Sequence, residues 1–331
     1  MSEAGGVALI DSGLPVPSGR QDLLIALGGN ALLPAHGTGT IDEQIAITRR
    51  TMRVVARLAL PGVRLVITHG NGTVVGNILI RNLAAAEQIA PMPLDVCVAD
   101  SQGGLGYMIQ QTLENELFLA SRHRPVVTLV SQVRVDGRDP AFDAPDKPIG
   151  PFVDQDEADH LQAIRGWEMR EDAGRGWRRV VPSPLPVEIV EEEAIRTLRD
   201  AGFIVIALGG GGVPVVRRDD GTLEGVEAVI DKDRSSAVLA RDLHIPSMVI
   251  VTAIDRVRLG FGTDDERPLD AMTLAEARHY LAEGQFGVGS MAPKIEAVCE
   301  FLDAGGREAI LCSPDDLAEA LDGRAGTRIT R

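Results

Sequence analysis

Lysine is almost missing from this chain of 331 residues. Of the 33 basic residues, only Lys147, Lys232 and Lys294 are lysine, and the rest are arginine. Lysine is a compact point charge on a flexible stem, whereas arginine is a planar fork. Two interpretations follow. The three lysines are remnants of a biased composition, or they occupy narrow pockets where one positive charge must reach a transferring group.

Aromatic residues, cysteine and long apolar runs are also scarce. With 3% aromatic and 44% apolar residues, the core is expected to be aliphatic. Cys97, Cys299 and Cys312 show neither metal-ligand spacing nor a disulfide framework, which predicts buried thiols in a reducing compartment. No apolar run approaches the ~20 residues of a membrane span. Residues 1–21 lack the pattern of a signal peptide and are expected to form a flexible extension, so we expect a cytoplasmic protein.

Positive charge is in short supply overall, because the net charge is −15. Nucleic acids and anionic membranes both need a basic face on their protein partner, so neither is expected here. An anionic small molecule would be attracted only by a local cluster of positive charge that opposes the field of the whole protein. The sequence therefore directs attention to small-molecule partners and to a confined cationic site.

Buried strands alternate with amphipathic helices along the chain. The strands are predicted at 23–27, 64–68, 125–130, 203–208, 247–252 and 308–312. The helices are predicted at about 42–60, 74–89, 103–120, 188–201, 234–243, 273–284, 292–304 and 314–321, with Ser101 and Ser313 as caps. Continuous apolar strands between helices indicate a mainly parallel sheet covered on both faces, which is a three-layer α/β/α sandwich.

Residues 131–186, hereafter the inserted region, interrupt this alternation. They contain polar loops, several prolines, both tryptophans and the basic run "GRGWRR". We interpret them as a lid subdomain inserted over the edge of the sheet. The alternative is a long irregular loop, although unstructured loops of this length are uncommon in compact domains.

Three predicted strands end in glycine-rich turns. The turns are Gly28-Gly29-Asn30, His69-Gly70-Asn71-Gly72 and the run Gly209 to Gly212. Glycine lets the backbone approach a ligand, and free N–H groups at such turns hold anions. In doubly wound sheets the ligand lies beyond the carboxyl ends of the strands, so we expect one shared site for phosphate-like groups. Neither G-x-x-x-x-G-K-[ST] nor a G-x-G-x-x-G after the first strand is present.

A family resemblance rests on a series of motifs. They are "ALGGNALL", "VITHGNG", "SQGGLGY", "DPAF", "KPIGPF", "EDAGRGWRRVVPSP", "GGGGVPV", "VEAVIDKD", "GSMAPK" and the closing "GTRI". From about residue 22 to the C-terminus, the chain resembles the carbamate kinases of the amino acid kinase superfamily. The resemblance implies one amino acid kinase domain over 22–331, with the inserted region within it.

The resemblance also implies a reaction. Carbamate kinases interconvert ATP and carbamate with ADP and carbamoyl phosphate, using Mg²⁺ that accompanies the nucleotide. Most members form ATP, in arginine or purine and allantoin breakdown, and a homodimer is expected. Phosphoryl transfer depends on positioning and charge neutralisation. Carbamate is already an anion, so no strong base is required, and no protein side chain is expected to be a metal ligand.

Three residues are implied to be catalytic. By resemblance, Lys232 and Lys294 hold the phosphates, one at the transferring γ-phosphoryl and the other on the ADP side. Asp233 is implied to orient both lysines, because a carboxylate between two ammonium groups keeps them protonated. Asp233 would also be favourable, by ~0.3–1 kcal/mol, as an acid at a helix N-terminus, and the two roles are compatible.

The remaining site residues surround these three. The resemblance implies that backbone groups bind the phosphates, that a second turn lines the acceptor site and that the nucleoside lies along a third segment. The phosphate-binding residues are Gly28, Gly29, Asn30, Gly209, Gly210 and Gly211. The acceptor turn is Gly70, Asn71 and Gly72, and the nucleoside residues are Thr252, Asp255 and Met291. His69 is interpreted as a buried histidine bonded to a carbonyl rather than as a ligand.

Two departures from the family pattern affect the acceptor side. The usual "HGNGPQVG" is "HGNGTVVG" here, with Thr73 and Val74, and the usual "VDKNDPAF" is "VDGRDPAF". Gly137 therefore replaces the usual lid lysine. Arg138 is the nearest substitute for substrate binding, and the alternative is a solvated surface arginine. Lys147 either reaches the site when the lid closes or only anchors the inserted region.

Two further functions stay open, and the departures allow the first of them. One is a related kinase that forms another acyl phosphate from a different small carbamate or carboxylate. The other is a sensor of nucleotides or metabolites without catalysis. Lys232, Asp233 and Lys294 argue against a sensor, since only transfer requires neutralisation of a developing charge.

Overall fold

The computed structural model describes residues 22–33, 39–172, 175–287, 289 and 291–331. For Gly72 and Thr73 it describes the backbone only. The expected extension at 1–21 lies outside the described residues. In the part of the chain that is described, each helix is too short or too polar to cross a membrane.

The strands and helices follow the predicted alternation. The strands are β1 Asp22–Leu27, β2 Arg64–His69, β3 Val126–Thr128, β4 Gln132–Val135, β5 Lys147–Val153, β6 Met169–Glu171, β7 Trp177–Val181, β8 Pro186–Ile189, β9 Ile204–Ala207, β10 Val213–Arg217, β11 Leu223–Gly225, β12 Ser247–Val251, β13 Val257–Leu259, β14 Arg267–Leu269, β15 Ala271–Thr273, β16 Glu308–Cys312 and β17 Thr327–Thr330. The helices are α1 Ile41–Leu58, α2 Gly72–Ala84, α3 Leu94–Leu119, α4 Gln155–Arg165, α5 Glu192–Asp200, α6 Lys232–Asp242, α7 Leu274–Ala282, α8 Ala292–Asp303 and α9 Leu317–Leu321.

The central sheet has eight strands in the order β15-β17-β16-β12-β1-β2-β9-β3. All neighbouring pairs are parallel except β16 and β17. Side chains that alternate along β1 enter different cores. Ile25 packs with Met52 of α1 and Ile109 of α3, whereas Leu24 belongs to the core that contains Leu239 of α6 and Val298 of α8. Helices therefore cover both faces, and the predicted α/β/α sandwich is confirmed.

Two predicted helix starts are wrong. Helix α3 begins at Leu94 instead of 103, so Ser101 lies inside it and donates to the Val98 carbonyl at 2.6 Å. The pair Gly103-Gly104 suggested a boundary, but glycine only weakens a helix and packing decides whether it continues. Helix α5 begins at Glu192 instead of 188, because Pro186–Ile189 forms β8. Ser313 accepts a hydrogen bond from the Asp316 amide at 3.2 Å, one turn before α9 begins.

The described part of the inserted region has regular structure. Its two ends, β4 and β8, join a four-stranded sheet in the order β11-β10-β4-β8. Between them, β5, β7 and β6 form a three-stranded sheet that accompanies α4. Arg179 pairs with Glu227 outside the region, and its guanidinium lies 4.4 Å from the Trp167 ring centroid. The two ends of the inserted region thus share a sheet with β10. Its closure over the edge of the central sheet stays a prediction.

Cys97, Cys299 and Cys312 are buried free thiols, as the sequence predicted. Burial raises the pKa of Cys299 to about 11 and that of Cys312 to about 12. Both thiols are therefore protonated at neutral pH and act as small apolar side chains of the core.

Candidate active site

The three glycine-rich turns lie side by side. Strands β1, β2 and β9 are adjacent and parallel, so their carboxyl ends share one edge of the sheet. The turns are held to the neighbouring strands by backbone bonds. The Gly28 amide donates to the Val251 carbonyl at 2.8 Å, and the Gly70 amide donates to the Leu27 carbonyl at 2.9 Å. This is the edge at which open α/β sheets bind ligands.

Glycine at the end of β9 is required by close packing. A Cβ on Gly209 would lie 2.6 Å from the His69 Nε2 atom. Gly210 has a φ of +67°, and a Cβ there would lie 2.4 Å from the Asn71 Nδ2 atom. The second and third turns therefore interlock through His69 and Asn71, and a larger residue at either glycine would separate them.

His69 has the structural role that the sequence suggested. It is buried, and its Nδ1 atom lies 3.0 Å from the Gly70 carbonyl oxygen. Burial lowers the pKa of His69 to about 4, so its ring is neutral at pH 7. Asn71 is held by another element, since its Nδ2 group donates to Ser101 of α3 at 3.3 Å.

Lys232, Asp233 and Lys294 form one ionic cluster next to these turns. One carboxylate oxygen of Asp233 accepts from Lys232, and the other accepts from the Lys294 Nζ atom at 2.7 Å. Asp233 is only 1% exposed. Lys232 and Asp233 lie in the first turn of α6 and Lys294 in the first turn of α8, so two helix N-termini bring the cluster together. A helix N-terminus favours anions.

The pKa values in the cluster reflect burial and pairing. Burial alone would raise the pKa of Asp233, but the two ammonium groups outweigh it and lower the value to about 2. Burial lowers the pKa of Lys232 more than Asp233 raises it. For Lys294, burial also acts downward, but Asp233 outweighs it and the pKa rises. Asp233 therefore stays ionised. Of the two lysines, Lys232 is the one whose pKa remains lowered in spite of this carboxylate.

Asp231 joins the cluster to the inserted region. Its carboxylate caps α6 by accepting from the Asp233 amide at 2.9 Å and the Arg234 amide at 3.3 Å. The Lys147 Nζ atom of β5 lies 3.5 Å from the same carboxylate. Asp231 was not among the predicted site residues, because this helix was expected to begin at about 234, whereas α6 begins at Lys232 and has Asp231 as its N-cap.

A cleft of ≈ 570 Å³ opens between the sheet edge and the inserted region. Its walls come from the second glycine turn, helix α2, strand β5 and the start of α6. The lining residues include Gly70, Asn71, Asn77, Lys147, Phe152, Arg178, Gly210, Asp231 and Lys232. Lys147 thus faces the same space as Lys232, with its side chain 38% exposed.

Arg138 is placed elsewhere. Its side chain is 92% exposed, pairs with Asp136 and lies outside the cleft. The solvated alternative therefore describes this conformation. Thr73 lies outside the described side chains, and Val74 packs against the core rather than facing a ligand.

The residues assigned to the nucleoside flank the sheet edge on the other side. Thr252 follows β12 and donates its amide to the Cys312 carbonyl at 2.9 Å. Asp255 forms a half-exposed pair with Arg258. Met291 directly precedes α8 and accepts a bond from the Lys294 amide at 3.0 Å. None of these three side chains lines the ≈ 570 Å³ cleft.

The carboxylates near the cleft are already engaged by other groups of the protein, so a magnesium ion would have to arrive with the phosphates. Among the described residues, no group of three or more His, Cys, Asp or Glu side chains is arranged to hold a metal. Asp233 is occupied by two lysines, and Asp231 by helix amides and Lys147. Mg²⁺ commonly binds one or two carboxylates together with substrate phosphates, so the phosphates would have to supply most of its ligands.

Comparisons with known proteins identify the family. The model of the amino acid kinase family matches residues 23–313. The carbamate kinase of Pyrococcus horikoshii is 46% identical over 94% of this chain and 99% of its own length. The carbamate kinase-like protein YahI of Escherichia coli is 44% identical over 94% and 99%. The structure of the Giardia lamblia carbamate kinase bound to AMP-PNP has a TM-score of 0.88 at 40% identity, covering 94% of this chain and 99% of that one. The chain belongs to the amino acid kinase family and, within it, to the carbamate kinases.

Proposed function

We propose that this protein is a carbamate kinase, which transfers a phosphoryl group between ATP and carbamate to give ADP and carbamoyl phosphate. The observation that carries the proposal is the buried carboxylate of Asp233 with an ammonium group on each oxygen, next to three glycine turns. Two fixed cations beside anion-binding backbone are what phosphoryl transfer to an acceptor that is already ionised requires.

The two lysines take different parts of the transfer. Lys232 lines the cleft in which the acceptor would lie, whereas Lys294 does not. We therefore assign Lys232 to the transferring phosphoryl group and Lys294 to the ADP side. Asp233 holds both ammonium groups apart and charged. No side chain needs to remove a proton from carbamate.

The backbone turns and the nucleotide residues complete the assignment. Gly28, Gly29 and Asn30 bind the β- and γ-phosphates, and Gly209 to Gly211 border the nucleotide phosphates. Gly70, Asn71 and Gly72 line the acceptor site. Thr252, Asp255 and Met291 lie along the nucleoside. Mg²⁺ enters with the nucleotide and neutralises phosphate charge. We also propose a cytoplasmic homodimer that works in the direction of ATP formation, as the family resemblance implies.

A coupled luciferase assay tests the function. The protein with ADP, Mg²⁺ and carbamoyl phosphate is expected to form ATP. Omission of Mg²⁺ or its chelation with EDTA should abolish ATP formation, which is read after the reaction is stopped with acid, neutralised and given excess Mg²⁺ before luciferase is added. Acetyl phosphate serves as the matched alternative donor. ATP from acetyl phosphate but not from carbamoyl phosphate would favour the kinase with a different acceptor. ADP binding without ATP from either donor would favour a sensor.

Lys147 rather than Arg138 is expected to supply the positive charge from the inserted region. Lys147→Met should raise the KM for carbamoyl phosphate about tenfold or more, since a charge-assisted contact is worth ~1.5–3 kcal/mol. The KM for ADP should change less than about twofold. Arg138→Met is the matched control and should leave both constants unchanged, because its side chain is 92% exposed outside the cleft. The opposite result, with an effect only at Arg138, would mean that the inserted region closes in a different arrangement.

A further inference from the structure

A second ionic contact joins the two helices that carry the catalytic lysines. Arg234 follows Asp233 in the first turn of α6, and its guanidinium reaches across to α8. One terminal nitrogen donates to Glu296 at 2.6 Å and the other donates to Glu300 at 2.8 Å. The two glutamates are one helical turn apart, so they form a pair of acceptors that a planar fork can span.

This contact lies close in sequence to the cluster on both helices. Glu296 is two residues after Lys294, just as Arg234 is two residues after Lys232. Helices α6 and α8 are thus tied twice, with opposite polarity: α6 supplies the acid in one contact and the base in the other. Asp233 of α6 binds Lys294 of α8 inside the site, and Arg234 of α6 binds Glu296 and Glu300 of α8 outside it.

We propose that Arg234 is a positioning residue, which fixes α8 against α6 and thereby sets the place of the Lys294 ammonium group relative to Lys232. The inference rests on the proposed function for its kinetic consequence. The inner contact is not a constant restraint during turnover, because phosphates compete with Asp233 for both lysines. The outer contact involves none of the site residues, so a bound nucleotide would not compete with it.

The geometry explains why the position requires arginine. The ammonium group of a lysine at position 234 would be a point charge without fixed donor directions, whereas the guanidinium binds both glutamates in fixed directions. Its side chain is 20% exposed, compared with 43% for Glu296 and 50% for Glu300, so the cation is the more enclosed partner. A displacement of ~1 Å in a group that contacts the reacting atoms can cost ~10²-fold in rate.

The kinetic test is a double-mutant cycle. Arg234→Gln is expected to lower kcat about tenfold with less than a twofold change in the KM for carbamoyl phosphate, because Lys294 does not line the acceptor cleft. In a Lys294→Met background, the same substitution should cause no further loss, because the residue acts through Lys294. Glu296→Gln/Glu300→Gln keeps the arginine and should repeat the loss. Arg241→Gln is the control, since Arg241 of the same helix pairs with the adjacent Asp242 and, among the described residues, makes no ion pair with α8.

A second measurement does not depend on activity. The chain has only three lysines, so labelling of lysine at the ε-carbon gives three NMR signals, which Lys→Met variants assign. In Arg234→Gln, the Lys294 signal should shift and broaden while the Lys147 signal stays in place, and Arg241→Gln should reproduce the parent spectrum. An unchanged Lys294 signal, or an equal fall in kcat in both backgrounds of the cycle, would overturn the proposal. A parent protein that forms no ATP would instead refute the proposed function and leave the NMR result to decide the role of Arg234.

Discussion

Asp233→Asn is expected to lower kcat for ATP formation by about a hundredfold or more. The substitution keeps the size of the side chain but removes the one charge that lies between two buried ammonium groups. Burial already lowers the pKa of Lys232, and Asp233 opposes that effect. Without the carboxylate the pKa of Lys232 falls further, and neither ammonium group is held in place for the transferring phosphoryl group.

The pH dependence distinguishes this mechanism from simple damage. Lys232 must be protonated to act, so the activity of the variant should decline at a lower pH than that of the parent as the pH is raised. Removal of one partner of a buried ion pair also costs ~3–5 kcal/mol of folding stability. Asp242→Asn, near the end of the same helix, is the control and should change neither property much, because its pair with Arg241 is near the surface. Parent-like turnover for Asp233→Asn at pH 8 would remove Asp233 from the mechanism.

The stability of the parent protein should fall at acid pH, because protonation of Asp233 removes its contribution. The folded-state pKa of Asp233 is about 2, below its ordinary value of ~3.9. A depressed carboxylate pKa stabilises the fold above the ordinary value, and this contribution disappears as the pH falls towards 2. Asp233→Asn should therefore be less stable than the parent at neutral pH, with a difference that narrows below about pH 4. Urea unfolding of both proteins across this range measures it, and a constant difference would contradict the assignment.

The architecture of the sheet could be predicted because it depends on local signals. Runs such as 23–27 and 203–208 are continuously apolar, as strands buried on both faces must be, and glycine follows each of them. The shared edge follows from their parallel direction. The placement of Asp233 between Lys232 and Lys294 came from the family resemblance instead, because 61 residues separate the two partners of that contact.

Other features depend on packing that the sequence does not state. Gly103-Gly104 resembles a helix boundary, yet α3 continues through it because the preceding turns pack against β10 and the glycine turn after β9. The exposure of Arg138 and the access of Lys147 to the cleft depend on how β4 and β5 pair with strands far away in the chain. Such pairings have no local signal, so the sequence could not show whether Lys147 or Arg138 reaches the cleft.

The presence of lysine at these three positions has a physical explanation in this arrangement. Lys232 and Lys294 share the two oxygens of one carboxylate in a nearly closed space, and Lys147 faces the adjoining cleft. A guanidinium at either buried position would bind both Asp233 oxygens at once and displace the other cation. Arginine serves on the surface and in the contact between α6 and α8, where a fork is useful.

Lys294→Arg is accordingly expected to be nearly as inactive as Lys294→Met, with kcat at least about a hundredfold below the parent. The charge is conserved, but the planar group is larger, and it would take both oxygens of Asp233 and move Lys232 away from the transferring phosphoryl group. A displacement of ~1 Å is sufficient for a loss of ~10²-fold. Steady-state kinetics of the two variants, together with melting temperatures to show that both are folded, measures the effect. Turnover of Lys294→Arg within about threefold of the parent, with Lys294→Met far below, would show that charge alone matters and that the geometry of the cluster does not.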